Sequence, residues 1–180
     1  MFARIRTAAA RSREDGGFGL IELLIAMTVM LVGILTIFAM FQSGILQIKR
    51  ASDVTTAGAL ADAQMEEFRA VKYDVIGMTS TALAAADTTY TGDTAYRPPG
   101  TNQPDEAVTL ASSSYSPIQT LAGADGRSYR VDTYITWQSV QTSGGTPYAG
   151  RAIKQVTIVV SDSAKVLARV SSSFDLSTGQ

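Results

Sequence analysis

The stretch Gly17-Phe18-Gly19-Leu20-Ile21-Glu22-Leu23-Leu24 opens a long apolar run. Residues 23–48 include no charged residue, and about 20 apolar residues are enough for one helix to cross a membrane. Glu22 stands at the mouth of this run. A carboxylate in the middle of the hydrocarbon costs roughly 2.5–3.5 kcal/mol on insertion scales, and less near an end of the span. Glu22 is therefore a candidate functional residue that needs a partner.

The segment before the run, residues 1–17, is short and basic. Its charged residues are Arg4, Arg6, Arg11, Arg13, Glu14 and Asp15. A secretory signal has an apolar core of about 7–15 residues, followed by a cleavage site with small residues. Here the core is longer, and Ala39-Met40-Phe41 is a poor site of that kind. A plain signal anchor remains the alternative interpretation of this segment.

The basic residues predict an orientation in the membrane. Four arginines precede the apolar run, whereas only Lys49 and Arg50 follow it closely. Cytoplasmic flanks of membrane helices are enriched in Lys and Arg. We therefore expect a single membrane pass, with the N-terminus in the cytoplasm and the C-terminal domain outside.

The opening stretch closely resembles the processing motif of type IV prepilins and pseudopilins, which usually reads Gly-Phe-Thr-Leu-Ile-Glu. The matching residues are Gly17, Phe18, Leu20, Ile21 and Glu22. Gly19 stands where Thr is common, at a position that varies in the family. The resemblance covers about the first third of the chain, and the remainder shows only the general layout of a pilin.

The resemblance implies cleavage between Gly17 and Phe18 by a membrane-embedded prepilin peptidase, followed by N-methylation of Phe18. It also implies assembly through the N-terminal helix, in which Glu22 pairs with the new amine of a neighbouring subunit. The alternatives for Glu22 are pairing with the amine of its own subunit and stabilisation of the helix N-terminus alone. The implied partners are other pilin or pseudopilin subunits, the peptidase, the inner-membrane assembly platform, and membrane lipid before assembly. The implied location is the inner (cytoplasmic) membrane, and then the pilus or pseudopilus.

These implications favour a structural subunit of a type IV pilus or a related filament. The minor type is indicated because no Pro occurs near Ala39 and Phe41, where many major pilins carry a kinking Pro. A pseudopilin of type II secretion or of DNA-uptake machinery is the alternative within the family. A membrane-tethered extracytoplasmic binding module is the alternative of another class, and such a tether would keep its leader.

The composition argues against several kinds of chemistry. The sequence has no Cys and no His, so it contains no thiolate metal ligand, no disulfide and no His-dependent triad. It also has no Gly-rich phosphate loop. We therefore expect no enzymatic activity, no cofactor and no metal ion.

Nucleic acid is an unlikely class of partner. Removing four arginines and two acids with the leader changes the net charge from −1 to −3, which indicates no strongly positive field. Arg127, Arg130, Arg151 and Lys154 could form a basic patch for DNA. These cations are scattered, with no stacking aromatic residue at fixed spacing, so they support that alternative only weakly.

One long helix is predicted over about 18–75, because this stretch contains neither Pro nor Asn, and Gly44 and Gly58 are the candidate positions for a break in it. Beyond Ile48 the apolar residues step by three and four, as on one face of an amphipathic helix. This stripe comprises Ala51, Val54, Gly58, Ala61, Met65, Phe68, Val71 and Val75. For Asp62, Glu66 and Glu67 a solvated face is favoured over a metal site.

Residues 79–105 read as a long variable loop with many small and polar residues and a candidate short helical turn at Leu83–Ala86, followed by strand signals. The predicted strands are 107–110, 128–140, 152–160 and a last one with Val166, Ala168 and Val170. Short connections between consecutive strands favour an antiparallel sheet. We expect Val156, Ile158 and Val166 to face the helix stripe, and Trp137 to lie in the core rather than in a ligand pocket.

The predicted fold is α+β and pilin-like, with a long N-terminal helix, transmembrane in its first half, packed on a C-terminal antiparallel β-sheet. The predicted divisions are a cleaved leader at 1–17, a transmembrane and filament-core helix at 18–48, an amphipathic second half of the helix at 49–78, a variable loop at 79–105, and the sheet at 106–180.

Overall fold

The computed structural model describes residues 19–96, 107–138, 153–163 and 165–175 of the 180-residue chain. The chain divides into two compact units, Met1–Gln47 and Ile48–Gln180. The predicted leader lies outside the described residues, as do Gly17 and Phe18 of the processing motif.

The first element, α1, is an α-helix at Leu20–Arg69. No Pro interrupts it, and Ala, Leu and Met, which favour helices, recur along its length. The hydroxyl of Thr28 donates to the carbonyl of Ile25 at 2.8 Å, and Thr36 makes the same kind of bond to the preceding turn. These bonds satisfy polar groups of the apolar stretch without a partner from outside the helix.

The helix ends at Arg69, so the prediction that it continues to about Val75 is wrong. Lys72 has an extended backbone, with φ −68° and ψ 147°, and a 3-10 turn follows at Tyr73–Val75. The reason is tertiary, because the buried amine of Lys154, in a strand of the sheet, donates to the carbonyls of Tyr73 and Ile76. The predicted amphipathic half of the helix at 49–78 is therefore helical only as far as Arg69.

Four strands form one antiparallel meander in the order β3, β4, β5, β6. Their bounds are Ile118–Ala122, Ser128–Gln138, Ile153–Asp162 and Lys165–Phe174. Two short strands, β1 at Met78–Thr79 and β2 at Thr109–Leu110, pair in parallel. The α+β, pilin-like prediction is confirmed, since a long apolar helix precedes a four-stranded antiparallel sheet.

Three predicted strands correspond to β4, β5 and β6 within a few residues at their ends, and residues 139–140 and 152 lie outside the described part. The predicted strand at 107–110 is shorter, because only Thr109–Leu110 forms β2 and Ala107 makes a single bridge to Thr136. The sequence pattern does not predict β3, since Gln and Thr interrupt its apolar residues.

One face of the sheet forms the core of the second unit together with α1. Across strands, Val131 pairs with Val160 on this face. Between the helix and this face, residues at most 1% exposed include Ala57, Ala61, Met65 and Phe68 from the helix, and Tyr129, Val131, Val156, Ile158 and Val160 from the sheet. Trp137 packs half-buried against this core. The predicted helix stripe is too long, because Val54 and Val75 are 47% and 50% exposed.

The prediction that Val166 faces the helix is also wrong, because Val166 is 50% exposed. Val160 of β5 pairs with Ala168 of β6, but the next residue, Ser161, pairs with Val166. This shift leaves one extra residue in β6. A β-bulge of this kind turns the residues beyond it to the other face of a sheet.

The opposite face of the sheet is covered by residues 80–96. This segment contains two short helices, α2 at Ser80–Ala84 and α3 at Thr88–Thr91. Tyr90 is fully buried, and its ring stacks on that of Tyr134 with 4.4 Å between the centroids. The prediction of a loop is therefore wrong for this part of 79–105, while residues 97–105 lie outside the described chain.

Two ion pairs hold the covering segment to the sheet. Arg130 of β4 lies 2.6 Å from a carboxylate oxygen of Asp87, and Arg169 of β6 lies 2.8 Å from one of Asp93. Asp87 also caps α3, because its side chain accepts from the backbone N–H of Tyr90 at 3.0 Å. The second unit thus has three layers, in the order helix, sheet, covering segment.

Replacing Tyr90 by Phe is expected to destabilise the second unit by about 1 kcal/mol, whereas Tyr134→Phe should change its stability little. The Tyr90 hydroxyl donates to the carbonyl of Thr133 at 2.8 Å. The Tyr134 hydroxyl is buried and has no hydrogen-bond partner among the described residues. Urea unfolding of a fragment of residues 49–180 measures both free energies.

Unfolding of the same variants at alkaline pH provides a control. Burial raises the pKa of both Tyr90 and Tyr134. A pKa raised by folding gives stability that is present below the unfolded pKa of about 10 and is lost as the pH rises above it. The unvaried fragment should lose stability from about pH 9.5 to pH 11, and each variant should lose less. An equally steep alkaline loss in both variants would contradict this account.

Candidate assembly site at the helix N-terminus

The start of α1 brings three residues of the processing motif together on one helical turn. The helix begins at Leu20. The backbone N–H groups of Glu22 and Leu23 donate to the carbonyl of Gly19 at 3.0 and 3.2 Å. Leu20 and Ile21 are 79% and 73% exposed, and Glu22 is exposed beside them. The carboxylate is therefore accessible to a charged group of another molecule.

An exposed apolar surface follows this first turn. Every side chain at 20–48 is exposed, and the large apolar ones are 52–79% exposed. Among the described residues, α1 alone is long and apolar enough to cross a membrane. Soluble monomers rarely expose continuous apolar surface of this extent. Lipid or other apolar helices must cover it in the working protein.

Acids of the same chain neutralise the cations proposed for a DNA patch. Arg127 lies 2.7 Å from Asp53 of α1 and also pairs with Asp162 of β5. Arg130 contacts two aspartates in the same way. Lys154 is buried, and the fourth cation of the set lies outside the described residues. The described part of the chain therefore does not present the basic patch of the DNA-binding alternative.

The carboxylates considered for a metal site lie on a solvated face. Glu66 pairs with Arg69, and Glu67 accepts from the side-chain amide of Gln64. Asp62 is exposed on the same helix. No cluster of three or more potential metal ligands occurs in the parts of the chain that the structure describes.

Lys154 is a structural residue that the sequence reasoning missed. It is 3% exposed, and its amine donates to the carbonyls of Tyr73 and Ile76 at 2.7 and 2.8 Å. The amine also lies 4.2 Å from the centroid of the Tyr73 ring, and burial lowers its pKa. These bonds hold in place the turn that follows the end of α1. The sequence signal for this role is the alternation of residues along β5, which places Lys154 on the same face as Val156 and Ile158.

A long apolar helix with an acid in its first turn, followed by a four-stranded antiparallel sheet, defines a pilin-like α+β protein. Residues 12–38 match the family described as "Prokaryotic N-terminal methylation motif", which is the signature of type IV pilins and pseudopilins. The match includes every residue of the processing motif. No curated protein and no solved structure matched the chain.

The signature and the helix together support a coarse assignment. The signature supports a pilin-like or pseudopilin-like substrate of prepilin peptidase, and the family that carries this signature is of a structural type. The apolar helix supports anchoring in a membrane, and the signature supports association with other pilin subunits.

Proposed function

We propose that the chain is a structural subunit, of the minor type, of a type IV pilus or a related filament. The observation that carries this proposal is the processing signature at 12–38, which overlaps the start of an apolar helix surface exposed over 20–48. Membrane lipid covers that surface before assembly, and helices of neighbouring subunits cover it afterwards. The minor type rests on the absence of Pro from α1.

Processing is the first step of the proposed function. Prepilin peptidase cleaves between Gly17 and Phe18, and the new amine of Phe18 is then methylated. Gly17 suits this role because a residue without a side chain lets the backbone enter a tight protease cleft. The basic leader, 1–17, stays on the cytoplasmic side of the inner membrane, and the second unit lies outside.

Assembly is the second step. An ATP-driven machine at the inner-membrane platform extracts the helix from lipid into a bundle of parallel helices at the filament core. Residues 18–48 then form the core of the filament, and the sheet with its covering segment forms the outer domain. Glu22, exposed in the first turn, is the residue that pairs with the amine of a neighbouring subunit.

Replacing Gly17 by Leu is expected to leave the whole precursor uncut. The bulky side chain would keep the scissile bond out of the peptidase cleft. Mass spectrometry of the membrane-bound form should show an N-terminus at methylated Phe18 in the natural protein and at Met1 in the variant.

A control at a neighbouring glycine distinguishes a specific cleavage site from general damage to the leader. Gly19→Thr introduces the residue that is usual in the motif, so this variant should be cleaved normally. An uncut natural protein that retains Met1 would contradict the proposal and favour a membrane-tethered binding module.

A further inference from the structure

The two outer strands of the sheet are each paired on one side only. Among the described residues, β3 pairs with β4 alone and β6 pairs with β5 alone. An edge strand presents a row of backbone N–H and C=O groups that can pair with another chain. The described part of the four-stranded sheet therefore has two such edges in each copy.

Both edges lack the usual protection against pairing over a stretch of five residues. Proteins protect edge strands with charged residues, Pro or bulges. β3, at Ile118–Ala122, contains neither a charge nor Pro, and the same holds for residues 170–174 of β6. The bulge and the charged residues Lys165 and Arg169 are confined to the first half of β6. The two unprotected stretches are equal in length.

Hydrogen bonds at the ends of β3 show which of its backbone groups are free. Thr133 donates to the carbonyl of Pro117 at 2.9 Å. Gly123 donates to the carbonyl of Arg127 at 2.8 Å. Because the direction of the backbone groups alternates along a strand, those of Thr120 point away from β4.

The same alternation continues across the sheet to β6. Since Thr133 faces β3, its neighbour Tyr134 faces β5, where it is paired with Thr157. The backbone groups of Val156 and its alternate neighbours then face β6. On β6 this leaves the backbone groups of Ser171 and Ser173 pointing outward.

We infer that β6 of one copy pairs with β3 of a second copy, so that one antiparallel sheet continues between neighbouring subunits. The inference rests on the proposed function, in which all subunits share one polarity along the filament. In a four-stranded meander the first and last strands run in opposite directions. A second copy in the same orientation therefore presents β3 antiparallel to β6.

Polarity also excludes antiparallel pairing of β6 with another β6. That contact would relate the copies by a two-fold axis and invert one of them. Contacts between two different surfaces, in contrast, generate open helical assemblies. The inferred contact joins different edges, as a filament requires.

The side chains agree with a register that places Ser173 opposite Thr120. Both are exposed on the face of the sheet that carries Arg130, because Thr120 pairs with Arg130 and Ser173 pairs with Gln155 on that face. In this register the outward-pointing backbone groups of the two strands meet, and each face of one sheet continues into the same face of the next. Residues of β3 on the other face would lie along a cavity of about 210 Å³ that borders residues 172–175. When a strand adds to the edge of a sheet, backbone hydrogen bonds are commonly combined with pockets that take its alternate side chains.

Cysteine cross-linking tests the contact directly, because the chain has no natural Cys. Ser173→Cys and Thr120→Cys are introduced together into the full chain, and filaments are sheared from cells and oxidised. Within one copy these positions lie at opposite edges, so three strand spacings alone separate them by more than about 14 Å. A disulfide needs Cα atoms within about 7 Å, so it must join two copies. The chain should shift to dimer and larger masses, and reduction should reverse the shift.

Three controls define the contact. Ser171→Cys with Thr120→Cys reports a register two residues away, and product from either pair supports the inference. Each single variant should remain monomeric, as should Ser173→Cys combined with Ala63→Cys on the exposed side of α1. Dimers from Ser173→Cys alone would overturn the inference by showing that β6 pairs with β6.

The filament fraction separates this inference from the proposed function. Filaments that contain the chain, but no cross-linked product from either pair, would overturn the inference alone. Absence of the natural chain from every filament fraction would contradict the proposed function, and the inference that rests on it would fall as well.

Discussion

Glu22→Val is expected to remove the chain from filaments while leaving cleavage and membrane insertion unchanged. In the proposed function, cleavage after Gly17 creates a charged amine at Phe18, four residues before Glu22 in the sequence. Both charges then lie in apolar surroundings, where one left unpaired costs several kcal/mol. Neighbouring subunits are staggered along a filament, so the amine of an incoming subunit can meet Glu22 of one already in place. The variant leaves that amine without its partner.

The test compares the sheared filament fraction with the membrane fraction by blotting. The Glu22→Val chain should be present, cleaved, in the membrane and missing from the filaments. Glu22→Gln serves as the matched variant, because it keeps the size of the side chain and removes only the charge; it should behave in the same way.

A smaller role for Glu22 makes a different prediction. An acid in the first turn stabilises a helix by only about 0.3–1 kcal/mol through the helix dipole. If that were its whole contribution, both variants would still enter filaments. Normal amounts of the variants in the sheared fraction would therefore refute the pairing role.

Phe68→Ala is expected to lower the free energy of unfolding of the fragment 49–180 by about 3–5 kcal/mol. Phe68 is 1% exposed, and its ring lies 4.5 Å from that of Tyr115, measured between centroids. It belongs to one core with Met65 and Ile158. Truncation would leave a cavity between the helix and the sheet, and the surrounding backbone can fill that cavity only in part. Urea unfolding measures the loss.

Val54→Ala is the matched control on the same helix. Val54 belongs to the predicted apolar stripe, yet it is 47% exposed, so its truncation should cost no more than about 0.5 kcal/mol. A loss of less than about 1 kcal/mol for Phe68→Ala would show that Phe68 does not support the core.

The helix and its motif were predictable because their causes are local. A long run rich in Ala, Leu and Met and without Pro favours a helix by its own composition, and the exposed Leu20, Ile21 and Glu22 at its start are adjacent in the sequence. The strands β4, β5 and β6 were predictable for a similar reason, since alternation of apolar and polar residues is a property of each strand by itself. The pairing of β5 with β6 followed from the short connection between them.

The covering segment was not predictable in the same way. Residues 80–96 have a loop-like composition, and only Tyr90 stacked on Tyr134 and the pair of Asp87 with Arg130 show that they pack on the sheet. Asp87 and Arg130 are far apart in the sequence. The composition of a short segment does not show which distant residue will contact its buried hydroxyl or carboxylate.

The sequence by itself determined the membrane-length helix, the acid at its start, the processing motif and an antiparallel sheet. Only the tertiary structure decided where the helix ends, which residues cover the second face, and which edges remain free. The amine of Lys154 reaches carbonyls of a turn that follows Arg69, and the bulge of β6 turns Val166 away from the helix. These outcomes depend on contacts between residues far apart in the chain, and such contacts exist only once the chain has folded.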